Sequence, residues 1–338
     1  QPILMKGERV KISCNTLTLS KANIFDMKLQ NKVFICLVCM MGLSRLVIAE
    51  TSWPDYRGPK QDGSVNGVDL PLQWSEGNQV MWKTVVHGRG WSSPVVAGGQ
   101  VWLTTATPDG RELYVLCVDA TSGKILLNRK LFQINKPQFA HAFNSYASPS
   151  PLIDSSHVYV SFGSPGTACL DLKTHKVLWK RTDLVCDHFR GAGSSPFVYE
   201  NLIILTMDGA DYQYLIALDK LTGNTVWRTD RSTDFGDLDP NTGLPKRGGD
   251  LRKSYATPVL AQVKGQSQLI SPGAKAVFGY DPLSGKEIWT IRYGNHSSAA
   301  RTLVGHDMAF VNTGYGKAEL LGIRIDGKGD VTDTHIVW

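Results

Sequence analysis

Short apolar runs, alternating with polar positions and interrupted by one recurring polar turn, set the rhythm of this 338-residue chain. The turn occurs in four eleven-residue copies: Cys117 to Leu127, Cys169 to Trp179, Ala217 to Trp227 and Gly279 to Trp289. Each copy reads small residue, apolar residue, Asp, two variable positions, Thr or Ser, usually Gly, and then an alternating apolar run that ends on Trp in three of the four. Alternation with period two on both sides of a polar turn predicts strand, tight turn, strand. The Asp side chains (Asp119, Asp171, Asp219, Asp281) and the hydroxyls can accept hydrogen bonds from the turn's own N–H groups, and Gly supplies positive φ. His175 replaces that Gly in the second copy at a modest strain.

A second anchor recurs between the copies: Ser92-Ser-Pro-Val-Val96, Ser148-Pro-Ser-Pro-Leu152, Ser194-Ser-Pro-Phe-Val198 and Ala256-Thr-Pro-Val-Leu260. A fifth, degenerate unit runs from Ala299-Ala-Arg-Thr-Leu303 through Gly322 to Trp338. Each unit thus offers four strands, the Ser-Pro strand innermost and the Trp-ended strand outermost. Four strands in a repeat of roughly 40 to 60 residues make the blade of a β-propeller. The predicted fold is all-β, a propeller of four-stranded antiparallel blades with about five blades present. Cys117 and Cys169 share their repeat position with Ala217 and Gly279, so that slot calls for a small side chain rather than a redox pair. Cys186 falls in a loop.

Composition refines this reading in one place. The formal net charge is +6, but residues 1–49 hold seven Lys or Arg against two acids, so the remainder is nearly neutral and nothing points to nucleic acid. Within that stretch, Met27-Lys-Leu-Gln-Asn-Lys32 is cationic, Val33 to Leu43 is apolar, and Val47-Ile-Ala49 precedes a break, the pattern of a secretory signal peptide at 27–49. The apolar run is too short to span a bilayer, so no transmembrane span is expected after cleavage. Residues 1–26 read as an upstream or unstructured extension, 50–78 as an irregular Pro- and Gly-rich segment, and 79–338 as the propeller. Periplasmic or secreted localisation follows from the leader.

The stretch Gln79 to Val85 is expected to be a strand that ends a blade, because Trp82 stands before the first Ser-Pro strand as Trp227 stands before the fourth. A partner blade would then be C-terminal, and the expectation is a truncated seven- or eight-bladed ring, incomplete at its C-terminal side.

The pattern Ala-x-Asp-x-x-Thr-Gly-x-x-x-Trp, met in full by Ala217 to Trp227, resembles the tryptophan-docking motif of the propeller superfamily that includes pyrroloquinoline quinone (PQQ) dependent alcohol dehydrogenases. Its members include the non-enzymatic outer-membrane barrel-assembly lipoprotein and secreted PQQ-like repeat proteins, which Trp53-Pro-x-x-Arg-Gly-Pro59 also resembles. The resemblance covers residues 53–338 and implies that Trp179, Trp227 and Trp289 pack between neighbouring blades. The quinoprotein dehydrogenases also carry adjacent cysteines over the cofactor and acidic and amide calcium ligands. No adjacent cysteines occur here, so no cofactor is expected, with PQQ belonging to the rival reading.

Polar residues near the start of each innermost strand would face the central channel: Asn144, Tyr146, His188, Lys253, Tyr255 and His296, with Asp208 and Asp211 in a loop of the third blade. Together they form a candidate ligand site at the channel mouth. The insertion Asp230 to Lys253 contains Asp237-Leu-Asp-Pro-Asn-Thr-Gly243, whose alternating oxygens suit a hard cation. Thr242 and Gly248 stand where a calcium loop needs its turn Gly and its bidentate Glu, however, and a solvated loop with no metal is the reading kept. No catalytic residues are assigned. The functional reading is an exported binding or scaffolding module for a protein or glycan partner in the cell envelope. The rivals are a quinoprotein oxidoreductase and a carbohydrate-binding or carbohydrate-acting propeller, the latter favoured by Tyr146, Tyr255 and acids sharing one cleft.

Overall fold

The computed structural model describes residues 52–65 and 71–338. The leader read at 27–49, with Cys36 and Cys39, and the extension at 1–26 lie outside the described residues. Blade 1 comprises β1 (Val95–Ala97), β2 (Gln100–Ala106), β3 (Glu112–Asp119) and β4 (Ile125–Gln133). Blade 2 comprises β5 (Leu152–Asp154), β6 (His157–Ser161), β7 (Thr167–Asp171) and β8 (Val177–Arg181). Blade 3 holds β9 (Phe197–Tyr199), β10 (Leu202–Asp208), β11 (Gln213–Asp219) and β12 (Thr225–Asp230), and blade 4 holds β13 (Val259–Val263), β14 (Gln266–Pro272), β15 (Ala276–Tyr280) and β16 (Glu287–Arg292). Each is an antiparallel meander in sequence order. First strands of successive blades touch one another, β1 against β5 and β5 against β9, so the blades radiate from a common axis with the Ser-Pro strands innermost.

The hydroxyl before each proline explains that anchor. The Ser93 N–H donates to Ser150 Oγ at 2.8 Å, the Ser150 N–H to Ser195 Oγ at 3.0 Å, and the Ser195 N–H to Thr257 Oγ1 at 2.9 Å. The residue before a proline is held extended, and the proline has no N–H to leave unpaired on the channel-side edge. A buried relay of hydrogen bonds therefore links four blades around the axis.

The Asp turns close as their residue types dictate. In blade 3, Asp219 Oδ1 accepts from the N–H groups of Leu221 and Thr222 and from the Thr222 hydroxyl, while Gly223 sits at φ +72°. Asp119 and Asp281 do the same in their own turns, and Asp171 accepts from the Thr174 N–H and hydroxyl. His175 takes φ 59° in place of Gly. The small slot is also explained, because Cys117, Cys169, Ala217 and Gly279 stand directly opposite Leu127, Trp179, Trp227 and Trp289 across the outer ladder.

The outer-strand Trp179 and Trp227 then reach the turn of the next blade. Trp179 Nε1 donates to Lys220 O at 3.1 Å and its ring lies where a Cβ on Gly223 would come within 2.7 Å. Trp227 treats Pro282 O and Gly285 in the same way. The residue two positions on completes each joint: Arg181 donates to Gly223 O and Thr229 to Gly285 O. In the joint between blades 1 and 2, Leu127 replaces Trp and His175 replaces Gly, yet Arg129 still donates to His175 O at 2.6 Å. The His175 imidazole meets the Trp102 ring edge-on at 5.2 Å. The two departures from the repeat thus fall at one joint.

Three expectations are corrected. Residues 79–85 carry no ladder strand, although Trp82 Nε1 donates to Ala120 O and Thr84 to Gly123 O, the same joint on the blade 1 turn. The fifth unit is a three-stranded sheet of β17 (Leu303–Gly305), β18 (Met308–Asn312) and β19 (Leu320–Arg324), not four strands. Its turn is longer: sixteen positions separate Gly322 from Trp338, where ten separate the corresponding pair elsewhere. The extra residues form β20 (Gly329–Asp330), which pairs parallel with β16, and the short helix α1 (Thr332–His335), before Trp338 comes back onto Gly322. Trp289 is fully buried, but its Nε1 turns to Gln268 Oε1 in its own blade. The third correction concerns residues 52–65, placed outside the propeller from the sequence. Trp53 pairs with Val96 of β1, Pro54 O accepts from the Ile153 N–H of β5, and Asp55 meets the buried Arg301 guanidinium at 2.9 Å. This segment therefore ties blades 1 and 2 to the fifth unit.

Candidate functional site

At one end of the inner strands, the loops entering blades 2 to 5 surround a cavity of about 740 Å³. Asn144, Lys253, Tyr255 and His296 line it together. Each lies just before an inner strand, where the chain must turn from the outside of one blade to the axis of the next. Lys253 is buried, and its ammonium donates to Asp250 O at 2.6 Å and pairs with the Asp250 carboxylate. Burial holds the Lys253 ammonium below its usual value, with Asp250 opposing the shift. The His296 imidazole is likewise pushed down, first by burial and then by Lys253. The Asn144 amide donates to Arg190 O at 2.9 Å and fixes the loop that carries Arg190.

The other four residues of the sequence-based set stand elsewhere. Tyr146 donates to Gln138 O, and its ring covers Gly110. His188 is buried, with Nε2 accepting the Ser164 N–H at 2.9 Å and Nδ1 lying 3.7 Å from Cys186 Sγ. Burial pushes its imidazole down to about 4, so it is a neutral packing element. Asp208 makes a two-pronged pair with Arg231 at 2.7 and 2.9 Å, and Arg231 also donates to Ser271, a buried staple between blades 3 and 4. Asp211 accepts from the Asp187 and Tyr212 N–H groups and shapes a loop.

The cavity also contains residues that the sequence reading missed: His141, Phe143, Arg190, Arg247, Asp250 and Tyr315. Phe143 and Tyr315 are largely exposed. The His141 ring lies against Phe143, tilted, with centroids 4.0 Å apart, and the Tyr315 ring stands 6.0 Å from His296. In the insertion, Asp237 pairs with Arg252 at 2.5 Å, and Asp239 Oδ1 accepts from the Asn241 and Thr242 N–H groups. Both carboxylates are thus engaged in shaping the loop.

Cys117 and Cys169 sit in separate outer ladders, and Cys186 lies under a loop, all three buried as free thiols. Burial pushes Cys117 and Cys169 up to about 12, unreactive as thiolates at neutral pH. Asp250 is the cavity's one lining carboxylate, and it faces the Lys253 ammonium. Among the described residues no two cysteines are adjacent.

Four-stranded blades, joined by outer-strand aromatics on neighbouring turns, define a β-propeller of the PQQ-like repeat class. Residues 111–316 match the family described as outer membrane protein assembly factor BamB, and the chain belongs to that family. Similar solved structures include BamB from Moraxella catarrhalis, with 19% identity over 68% of this chain and 60% of that one and a TM-score of 0.47. A europium-containing methanol dehydrogenase shows 15% identity over 68% of this chain and 46% of that one, TM-score 0.41. The quinohemoprotein alcohol dehydrogenase from Comamonas testosteroni shows 16% identity over 70% and 40%, TM-score 0.46. The chain thus spans less than two thirds of each. A comparison with curated proteins gives no match. Among the described residues, no helix is long and apolar enough to cross a membrane.

Proposed function

We propose that the chain is an exported binding module, processed at its 27–49 leader, whose propeller (79–338, anchored by the segment before it) holds a protein partner in the periplasm or outside the cell. The observation that carries this reading is the convergence of Asn144, Lys253, Tyr255 and His296 with Arg190, Phe143 and Tyr315 on one open cavity. These groups hold and orient; none forms a nucleophile and base pair. Membership of a family described as an assembly factor supports a protein partner. The wide separation of the three buried thiols argues against quinoprotein chemistry. Tyr255 lines the cavity without Tyr146, beside a carboxylate already paired, which disfavours a carbohydrate-acting cleft. The test is a dye-reduction assay on the purified full chain supplied with PQQ, calcium and primary alcohols or aldoses. The binding reading expects no saturable, PQQ-dependent reduction, and such reduction would replace it with an oxidoreductase.

A further inference from the structure

Two depressions adjoin at the mouth, the 740 Å³ cavity and a shallower one of about 600 Å³ lined by Gln138, Phe139, Asp187 and Phe189, and Arg190 lines both. We propose that this double depression docks an extended acidic polypeptide segment of a partner protein that also carries an apolar side chain. The inference rests on the binding reading above and names the chemistry of the partner.

Charge gives the first argument. Arg190, Arg247 and Lys253 face the cavity, and Arg89 stands on its rim, donating to Ala142 O. Against them are Asp250, taken by Lys253 and Arg247, and Asp187, whose Oδ1 accepts the Phe189 N–H. Arg190 rests on the Phe189 ring at 5.3 Å and has no ion-pair partner among the described residues. The mouth is therefore positive and retains a free, planar donor fork suited to a carboxylate.

Aromatic exposure gives the second. Trp91, Phe139, Phe143 and Tyr315 are 55, 65, 71 and 74% exposed along this rim. They are held rather than loose: Trp91 Nε1 donates to Phe143 O at 3.0 Å, and the Arg89 guanidinium lies over the Trp91 ring. Fixed aromatics beside arginine are the composition of binding hot spots. Size decides between ligand classes. A small anion seated in the cavity would leave Phe139 in water, because Phe139 lines only the second depression, whereas an extended chain crossing from one depression to the other at Arg190 covers it. Acidic residues on that chain would meet Arg190 and Arg247, with an apolar side chain against Phe143 and Tyr315.

The test is panning a randomised dodecapeptide display library against the immobilised full chain. Counter-selection uses two variants, Arg190→Gln with Arg247→Gln, and Phe143→Ser with Tyr315→Ser, changed at the half-buried Arg190 and at three exposed positions, each checked for unchanged melting. Enriched peptides should combine Asp or Glu with an apolar residue and lose binding to both variants. Replacing their acids by the amides should weaken them by about tenfold or more, with strong salt dependence. Enriched peptides without acids that still need Phe143 and Tyr315 would overturn the acidic class and leave the mouth as a binding site. Peptides indifferent to both variants, or no enrichment, would overturn the docking site itself. Complete displacement of an acidic peptide by glutarate alone would reduce the site to a small-anion pocket.

Discussion

The paired departure at Leu127 and His175 supplies a quantitative test of how the blades are joined, since the same exchange can be transplanted to Trp179 and Gly223. Gly223→His alone should be destabilising on two counts. Its φ of +72° puts a side chain in the left-handed region, costing about 1 kcal/mol for a residue that tolerates it. Its Cβ would meet the Trp179 ring at 2.7 Å, an overpacking of about 1 to 3 kcal/mol. Trp179→Leu alone removes most of a nearly buried indole and its hydrogen bond to Lys220 O, costing about 2 kcal/mol after Leu refills part of the volume. In the double variant the clash is gone and the imidazole has room to enter the vacated space, the residue pairing that Leu127 and His175 present at the joint between blades 1 and 2. The pair should therefore be more stable than the sum of its parts by about 1 to 3 kcal/mol. Urea unfolding of the four proteins, followed by far-ultraviolet circular dichroism with the m-values compared, measures that coupling. Additivity within about 0.5 kcal/mol, or a Gly223→His variant as stable as the parent, would refute the reasoning.

Two further expectations concern the interior. Ser195→Ala removes the acceptor of the Ser150 N–H and should cost about 1 to 3 kcal/mol, whereas Ser194→Ala, whose hydroxyl donates to Ala256 O from a less buried site, should cost less; equal losses in urea unfolding would contradict the relay. Burial pushes His188 down to about 4, so between about pH 6.5 and that value the unfolded chain carries a proton that the folded chain lacks. Stability should be full above this window and fall by about 3 kcal/mol as pH drops through it. His188→Gln should flatten that part of the stability profile, and an unchanged slope would assign the acid sensitivity to other groups.

What the sequence revealed about the fold was local and periodic. An Asp turn needs nothing beyond five neighbouring residues, so Asp119, Asp171, Asp219 and Asp281 could be read directly, as could the alternation that fixes inner and outer strands. The serine and threonine before each proline were visible as an anchor, but their purpose was not, because each hydrogen bond joins residues 45 to 62 positions apart. The fifth unit misled because an unmarked six-residue lengthening of its turn leaves Gly322 and Trp338 in place while diverting the chain between them. At the mouth, proximity to an inner strand picked out Asn144, Lys253, Tyr255 and His296, which line one cavity. The same criterion admitted His188 and Tyr146, whose side chains turn into packing, since position along a loop does not fix side-chain direction. Phe143, Arg190, Arg247 and Tyr315 carry no repeat signal at all; exposed aromatics and arginines in the inter-blade loops were the available clue.

The central claim is that the mouth, and not the blade sides, meets the partner. Replacing Phe143 with the photocrosslinker p-benzoylphenylalanine in the full chain, and Leu178 on the exposed flank of blade 2 as control, tests this in the producing cell. The account expects a discrete covalent adduct to one protein from position 143 on irradiation, none from 178, and loss of the adduct when Arg190 and Arg247 are both changed to Gln. Adducts from 178 alone, or equal adducts from both positions that ignore the arginine changes, would contradict it.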